Sequence, residues 1–205
     1  MFALLGVVSI SVKGQNLEEI ISAHLEAVGQ GSILSMRSLY MEVREIDGFG
    51  GGKRYTITKK APNKIRIEGK WQEHVYINAF DGKRAWTIAP WTGVYKAQLM
   101  TEKEMQSLLL QSAFGSPLDL PKEGDNSLKL IGLETIQGDT YHVVRYSFLS
   151  GYFVDYLLNK ETNLIYLIRT YTEKDAQIVA SEVIFKNYKD LGGFKIPFGY
   201  EKRNG

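Results

Sequence analysis

The spacing of apolar positions changes period along this chain. Leu17, Ile20, Ile21, Leu25 and Val28 recur at helical intervals behind Asn16, a good N-cap. Glu18 and Glu19 stand in the first turn, where the helix dipole favours negative charge. Gly29 and Gly31 follow as a stop, so the spacing predicts one amphipathic helix of about four turns. From Leu39 the period falls to two. Leu39–Arg44, Tyr55–Thr58, Ile65–Glu68, Val75–Phe80, Arg84–Ile88 and Val94–Leu99 each read as a strand, with turns at Pro62-Asn63 and Asp81-Gly82. A second helix interrupts them: Thr101 and Glu104 form a capping box, and Met105, Leu108, Leu109 and Ala113 share a face. After an irregular loop to Asn126, strands resume at Leu128 and run, turn by turn, to Lys202.

Strands so evenly spaced, joined by short turns, predict an antiparallel meander rather than strand–helix–strand units. About eleven or twelve of them in a row would curl strongly, since twisted sheets of that width rarely stay open. The fold class expected is therefore α+β, mainly β. It is one strongly curved antiparallel sheet with two helices on its concave side, in a single domain over residues 15–205. Residues 1–14 lie outside that domain: Phe2 to Val12 is an apolar run of signal-peptide length, too short to span a bilayer, with Val12 and Gly14 at cleavage-site positions. The closing Asn204-Gly205 is a turn signal with no returning strand, so a last strand or two is expected beyond it.

Composition removes several chemistries. With no cysteine, disulfides, thiolate metal sites and lipid anchors on sulfur are excluded. His24, His74 and His142 are far apart, never at HxxxH spacing, so no metal is expected. There is no G-x-S-x-G elbow, and Asp47-Gly-Phe-Gly-Gly-Gly-Lys53 fails as a phosphate loop because Asp47 and Arg54 replace required residues. No catalytic residue, enzyme activity or cofactor is expected; a hydrolase would rest only on unplaced carboxylates. A net charge of +2 does not call for a polyanion. One cluster does stand out: Lys53, Arg54, Lys59, Lys60, Lys64, Arg66 and Lys70 face only Glu68 within eighteen residues. Only Tyr55 interleaves, so nucleic acid is not expected, and the cluster reads as a solvated face or a contact for anionic headgroups or a membrane partner.

The positive signal is apolar and aromatic. The chain holds 9 Phe, 12 Tyr and 3 Trp. One strand face is expected to carry Leu39, Met41, Val43, Ile65, Ile67, Val75, Ile77, Trp86, Ile88, Tyr152, Val154 and Tyr156. Two moderate helices cover part of such a face, and what they leave is either an apolar pocket or a fully packed core.

The order of several local features resembles a known family. These are the helix ending Ala27-Val28-Gly29-Gln30-Gly31, Ala61-Pro62-Asn63-Lys64-Ile65-Arg66, Ala79-Phe80-Asp81-Gly82 with Ala85-Trp86 and Pro90, Ser116-Pro117-Leu118-Asp119, and Asn187-Tyr188 with Ile196-Pro197. Together they resemble the LolA-like outer-membrane lipoprotein-sorting proteins. The resemblance implies an incomplete β-barrel with two helices as plug and lid over a hydrophobic cavity. In that setting Met105, Leu108 and Leu109 would form the lid's inner face, and Trp86 and Trp91 would line the cavity or its rim. It implies a soluble, monomeric periplasmic carrier of lipoprotein acyl chains or a related lipid, between an inner-membrane donor and an outer-membrane acceptor. Lacking a cysteine, the chain matches the carrier and not the lipid-anchored acceptor. The alternative is a periplasmic regulatory module of the same fold that binds a membrane-protein partner. An arginine latches the lid in that family, and Arg37, Arg44 and Arg84 are all open for the part.

Overall fold

The computed structural model describes residues 16–46, 51–120, 127–148, 150–171 and 179–204. The expectations for residues 1–14, for the loop at 47–50 and for the end at 205 fall outside these residues. Asn16 opens α1 (Leu17–Val28) with a reciprocal capping box to Glu19, and Gly29 closes it in the left-handed region at φ 71°. A side chain at Gly29 would also overlap the Gly193 carbonyl, so glycine is required twice over. The chain does not leave the helical region there, as expected from Gly31. It makes a short α2 (Gln30–Ser35), because the Gly29 carbonyl restarts the hydrogen-bond ladder.

Among the described residues, twelve strands follow in two antiparallel sheets of six, each in simple meander order. The first holds β1 (Ser38–Ile46), β2 (Gly52–Lys60), β3 (Lys64–Trp71), β4 (His74–Phe80), β5 (Ala85–Ala89) and β6 (Val94–Leu99). The second holds β7 (Ser127–Ile136), β8 (Asp139–Ser147), β9 (Phe153–Asn159), β10 (Ile165–Tyr171), β11 (Val179–Asp190) and β12 (Lys195–Asn204). Between them lies α3 (Glu102–Ser112), opened by the Thr101–Glu104 capping box. The mainly β, incomplete-barrel architecture expected is the one observed. Its meander is divided at α3, so that neither sheet closes on itself.

The core explains the division. Leu108 packs on Ile65, Phe80 and Ala85 of the first sheet. Leu110 packs with Val144, Tyr146, Val154, Tyr156 and Leu158 of the second, together with Ile20 of α1. Residues two apart on a helix project about 200° apart, so α3 has apolar groups on opposite sides and is wedged between layers. Each buried leucine is worth about 1.5–3 kcal/mol. A further apolar cluster, Tyr141, Val143, Leu157, Leu167 and Ile184, lies on the other face of the second sheet. There Arg145 and Asp155 form a two-pronged ion pair at 2.7 and 2.8 Å, and Arg169 binds both Glu134 and Glu182.

Polar groups tie the helices to the second sheet. His24 is 1% exposed. Its Nδ1 lies 2.7 Å from the Asn163 carbonyl, which can only accept, so Nδ1 carries the proton and Nε2 accepts from the Ser116 hydroxyl at 2.8 Å. Gln30 extends the network, accepting from the Ser116 amide and donating to Asp119. Burial holds the His24 imidazole below its ordinary pKa, the bond to Asn163 working the other way. Its neutral form is therefore the folded form. Below pH 6.5 the unfolded chain binds a proton that the folded chain refuses, so stability falls as pH drops from that value. His142, also held down by burial, adds to the fall. His24→Gln should flatten the slope of unfolding free energy between pH 6.5 and 5.5, by at most about 1.4 kcal/mol per pH unit. Denaturant titrations across that range check it, and an unchanged slope would contradict the assignment.

Candidate functional site

Directly paired residues on neighbouring antiparallel strands share a face, so the register sorts every strand residue. In the first sheet Met41 pairs with Ile57 and Ile57 with Ile67, while Leu39 pairs with Lys59 and Lys59 with Ile65. Val43 pairs with Tyr55. This is the inner face, the one on which α3 lies through Leu108. Met105 and Leu109 pack there as well, against the same cluster. Toward β1 the cover thins: Met41, Val43, Ile57 and Ile67 are only half-buried. An apolar strip on β1–β3 is thus only partly covered beside α3.

The structure does not bring all twelve expected strand residues to that face. Ile77 pairs with Ile88 and Glu68, Trp86 with Ala79, and Val75 with Lys70. Val75, Ile77, Trp86 and Ile88 therefore lie on the outer face, opposite Ile65 and Ile67. Alternation shows that a strand has two faces but not which one turns inward, and a one-residue offset exchanges them. The inward groups of β4 and β5 are instead Tyr76, Asn78, Phe80, Ala85 and Ala89. Val154 and Tyr156 are buried in the core of the second sheet, with Tyr152 packed at its margin. Trp91 sits in a 3-10 turn (Pro90–Thr92), half-exposed and edge-on to Tyr76 at 5.5 Å and Trp71 at 6.4 Å.

Two features were not readable from sequence. At one end of the inner face the Tyr55 and Tyr200 hydroxyls meet at 2.8 Å, and Tyr200 donates to Glu45 at 3.2 Å. Although burial opposes it, the charges of Lys202 and Lys53 hold the Glu45 carboxyl below its usual range. These side chains link β1 and β2 to β12 where no backbone pairing does. The second feature is Lys59. Its Nζ donates to the Ala113 carbonyl, the C-cap of α3, at 2.9 Å. A cation there also faces the negative end of the helix dipole. Burial pushes this ammonium down to about 8. Arg37, Arg44 and Arg84 are exposed. A lysine, Lys59, is the cation seen at the C-terminal end of α3.

Among the described residues, two concavities of about 340–350 Å³ lie away from α3. One is on the outer face of the first sheet, around Trp86 and Ile88. The other runs between α1 and β7, over Ile21, Leu25, Leu120 and Leu128. Among the described residues, no three His, Asp or Glu side chains are grouped so as to hold a metal ion.

No family model matches the sequence, and no curated protein is detectably similar to it. Solved structures do match. A LolA superfamily protein of Nitrosomonas europaea superposes with a TM-score of 0.58 at 16% identity, covering 89% of this chain and 84% of that one. The fold is LolA-like. A DUF1329 family protein of Desulfovibrio piger gives 0.57 at 14% identity, over 90% of this chain and 86% of its own. A domain described as an outer membrane lipoprotein-sorting protein, of Vibrio parahaemolyticus, gives 0.56 at 11%, again over 90% and 86%. At these identities the likeness is one of architecture. Among the described residues of this LolA-like chain, no helix is long and apolar enough to cross a membrane.

Because Lys59 supplies the hydrogen bond at the C-cap of α3, Lys59→Met should free the end of that helix. Amide exchange in its last turn should accelerate roughly tenfold, the value of a lost bond to a charged donor. Residue-resolved hydrogen exchange checks this, and unchanged protection would show that Lys59 does not hold the helix.

Proposed function

We propose that this chain is a soluble, monomeric periplasmic carrier that holds an acyl chain of a lipoprotein or related lipid against the inner face of β1–β3, beside α3. The observation that carries the reading is the half-buried apolar strip of Met41, Val43, Ile57 and Ile67. An acyl chain gains about 0.8 kcal/mol for each methylene it buries, so even a partly covered strip of this kind rewards such a ligand. Leu39 and Ile65 continue the face, and Met105, Leu108 and Leu109 of α3 border it. The wedge position of α3 gives the strip a wall, with Lys59 as a tether at its C-terminal end. No chemistry is needed: loading and release are changes of apolar contact.

The LolA-like architecture supports the same reading, since one neighbour of that fold is described as lipoprotein-sorting. The apolar run at Phe2 to Val12 supports export. An inner-membrane donor and an outer-membrane acceptor are the partners such a carrier requires.

A fluorescent fatty acid titrated into lipid-free protein tests the proposal. The probe should bind and be displaced by unlabelled palmitate, and Ile67→Asn should weaken it at least about fivefold, since polar substitution removes roughly 1 kcal/mol or more of apolar contact. No binding, or binding untouched by Ile67→Asn and Met41→Asn, would overturn it.

A further inference from the structure

The outer face of the first sheet combines two features that the carrier reading leaves unused. One is the apolar groove of about 340 Å³, whose floor includes Ile77, Ala79, Trp86 and Ile88. Val75 and Leu99 extend it at its margins, 41% and 62% exposed. The other is a set of exposed cations beside it on the same face, over β1–β3. Arg44 stands directly opposite Arg54, and Lys60 directly opposite Lys64. Like charges placed opposite each other on a sheet are destabilising, and here it happens twice. Lys70, paired with Val75, adds a fifth cation beside the groove. Of the acidic groups near the face, Glu68 is already held by Arg66 at 2.7 Å, Glu42 accepts from Tyr40, and Asp81 lies in the field of Lys64 and Arg84. The face is therefore cationic over β1–β3 and apolar beside that, over β4–β6.

We propose that this face docks on the surface of an anionic phospholipid bilayer, with the cations against headgroup phosphates and the Trp86 groove toward the glycerol and upper acyl region. Complementarity selects this occupant. An anionic surface relieves both like-charge pairs at once, and tryptophan beside aliphatic groups suits the membrane–water boundary. A second copy of the chain does not suit the face, because a two-fold pairing would bring the same cations together. Nucleic acid does not suit it either, because the groove is floored by aliphatic groups around a single half-buried indole rather than by exposed stacking rings. Docking here leaves the inner face of the same sheet free, so a carrier could rest on a membrane while its ligand strip stays accessible.

Flotation with vesicles of phosphatidylcholine, alone or with one-third phosphatidylglycerol, tests the proposal. A Trp71→Phe/Trp91→Phe protein, which leaves Trp86 as the only indole, reports the depth. Binding should occur with anionic vesicles and not neutral ones, and 0.5 M salt should release it. Arg44→Gln/Arg54→Gln/Lys64→Gln should lower the partition coefficient about a hundredfold, at about fivefold per cation, while circular dichroism shows the fold intact. Trp86 emission should shift to the blue on binding. Three results would overturn the proposal: no binding, equal binding to neutral vesicles, or self-association through this face in place of vesicle binding. A fourth would be binding that survives the triple substitution but is lost in Ile67→Asn, which would place the lipid contact on the inner face instead.

Discussion

The architecture depends on a single apolar contact made twice. Among the described residues the two sheets share no backbone pairing. Helix α3 joins their inner faces, with Leu108 set into one and Leu110 into the other, and Leu39 and Ile196 meet in a smaller cluster around Ile33, Phe114 and Phe194. A helix seated between layers in this way cannot leave without uncovering both, yet it is only eleven residues long and covers only part of the first sheet. The strip along β1–β3 that it leaves half-covered follows from that shortfall. A longer or wider helix would have sealed the face and removed any place for a ligand. The polar link of Glu45, Tyr55 and Tyr200 to β12, and the Lys59 tether, hold the arrangement where apolar packing is thin.

Much of this was legible in the sequence. Alternation located all the strands, and the Thr101–Glu104 pair marked where the meander breaks. Three things escaped for physical reasons. Gly31 looked like a stop, but the chain had already turned at Gly29, so α2 was missed. Met105, Leu108, Leu109 and Ala113 were read as the one apolar face of the helix, whereas Leu110, left out of that reading, projects away from Leu108 and marks a helix buried on two sides. Period-two patterning left the choice of face open, so Val75, Ile77, Trp86 and Ile88 were grouped with Ile65 and Ile67 although the register separates them. Lys59 could not be found at all from sequence. A lysine in a basic stretch reads as solvated, and only the fold brings Ala113 to it.

That correction changes what the first sheet is for. Both of its faces carry apolar ground, the outer one over β4–β6, which is unusual for a sheet with one helix against it and solvent on the other side. The inner face is bordered by leucines and methionines and closed at one end by a carboxylate and two tyrosines. The outer face is bordered by cations in opposed pairs. A lipid carrier has use for both kinds of surface, one for the chain it holds and one for the membrane it visits.

The most direct test of the account is methyl NMR with a nitroxide-labelled stearate. Its central claim is that the acyl ligand lies on the inner strip and not in the outer groove. Paramagnetic broadening should be strong for the methyls of Met41, Val43, Ile57 and Ile67, and weak for those of Ile77 and Ile88. Broadening concentrated at Ile77 and Ile88, or none at any of the six, would contradict it.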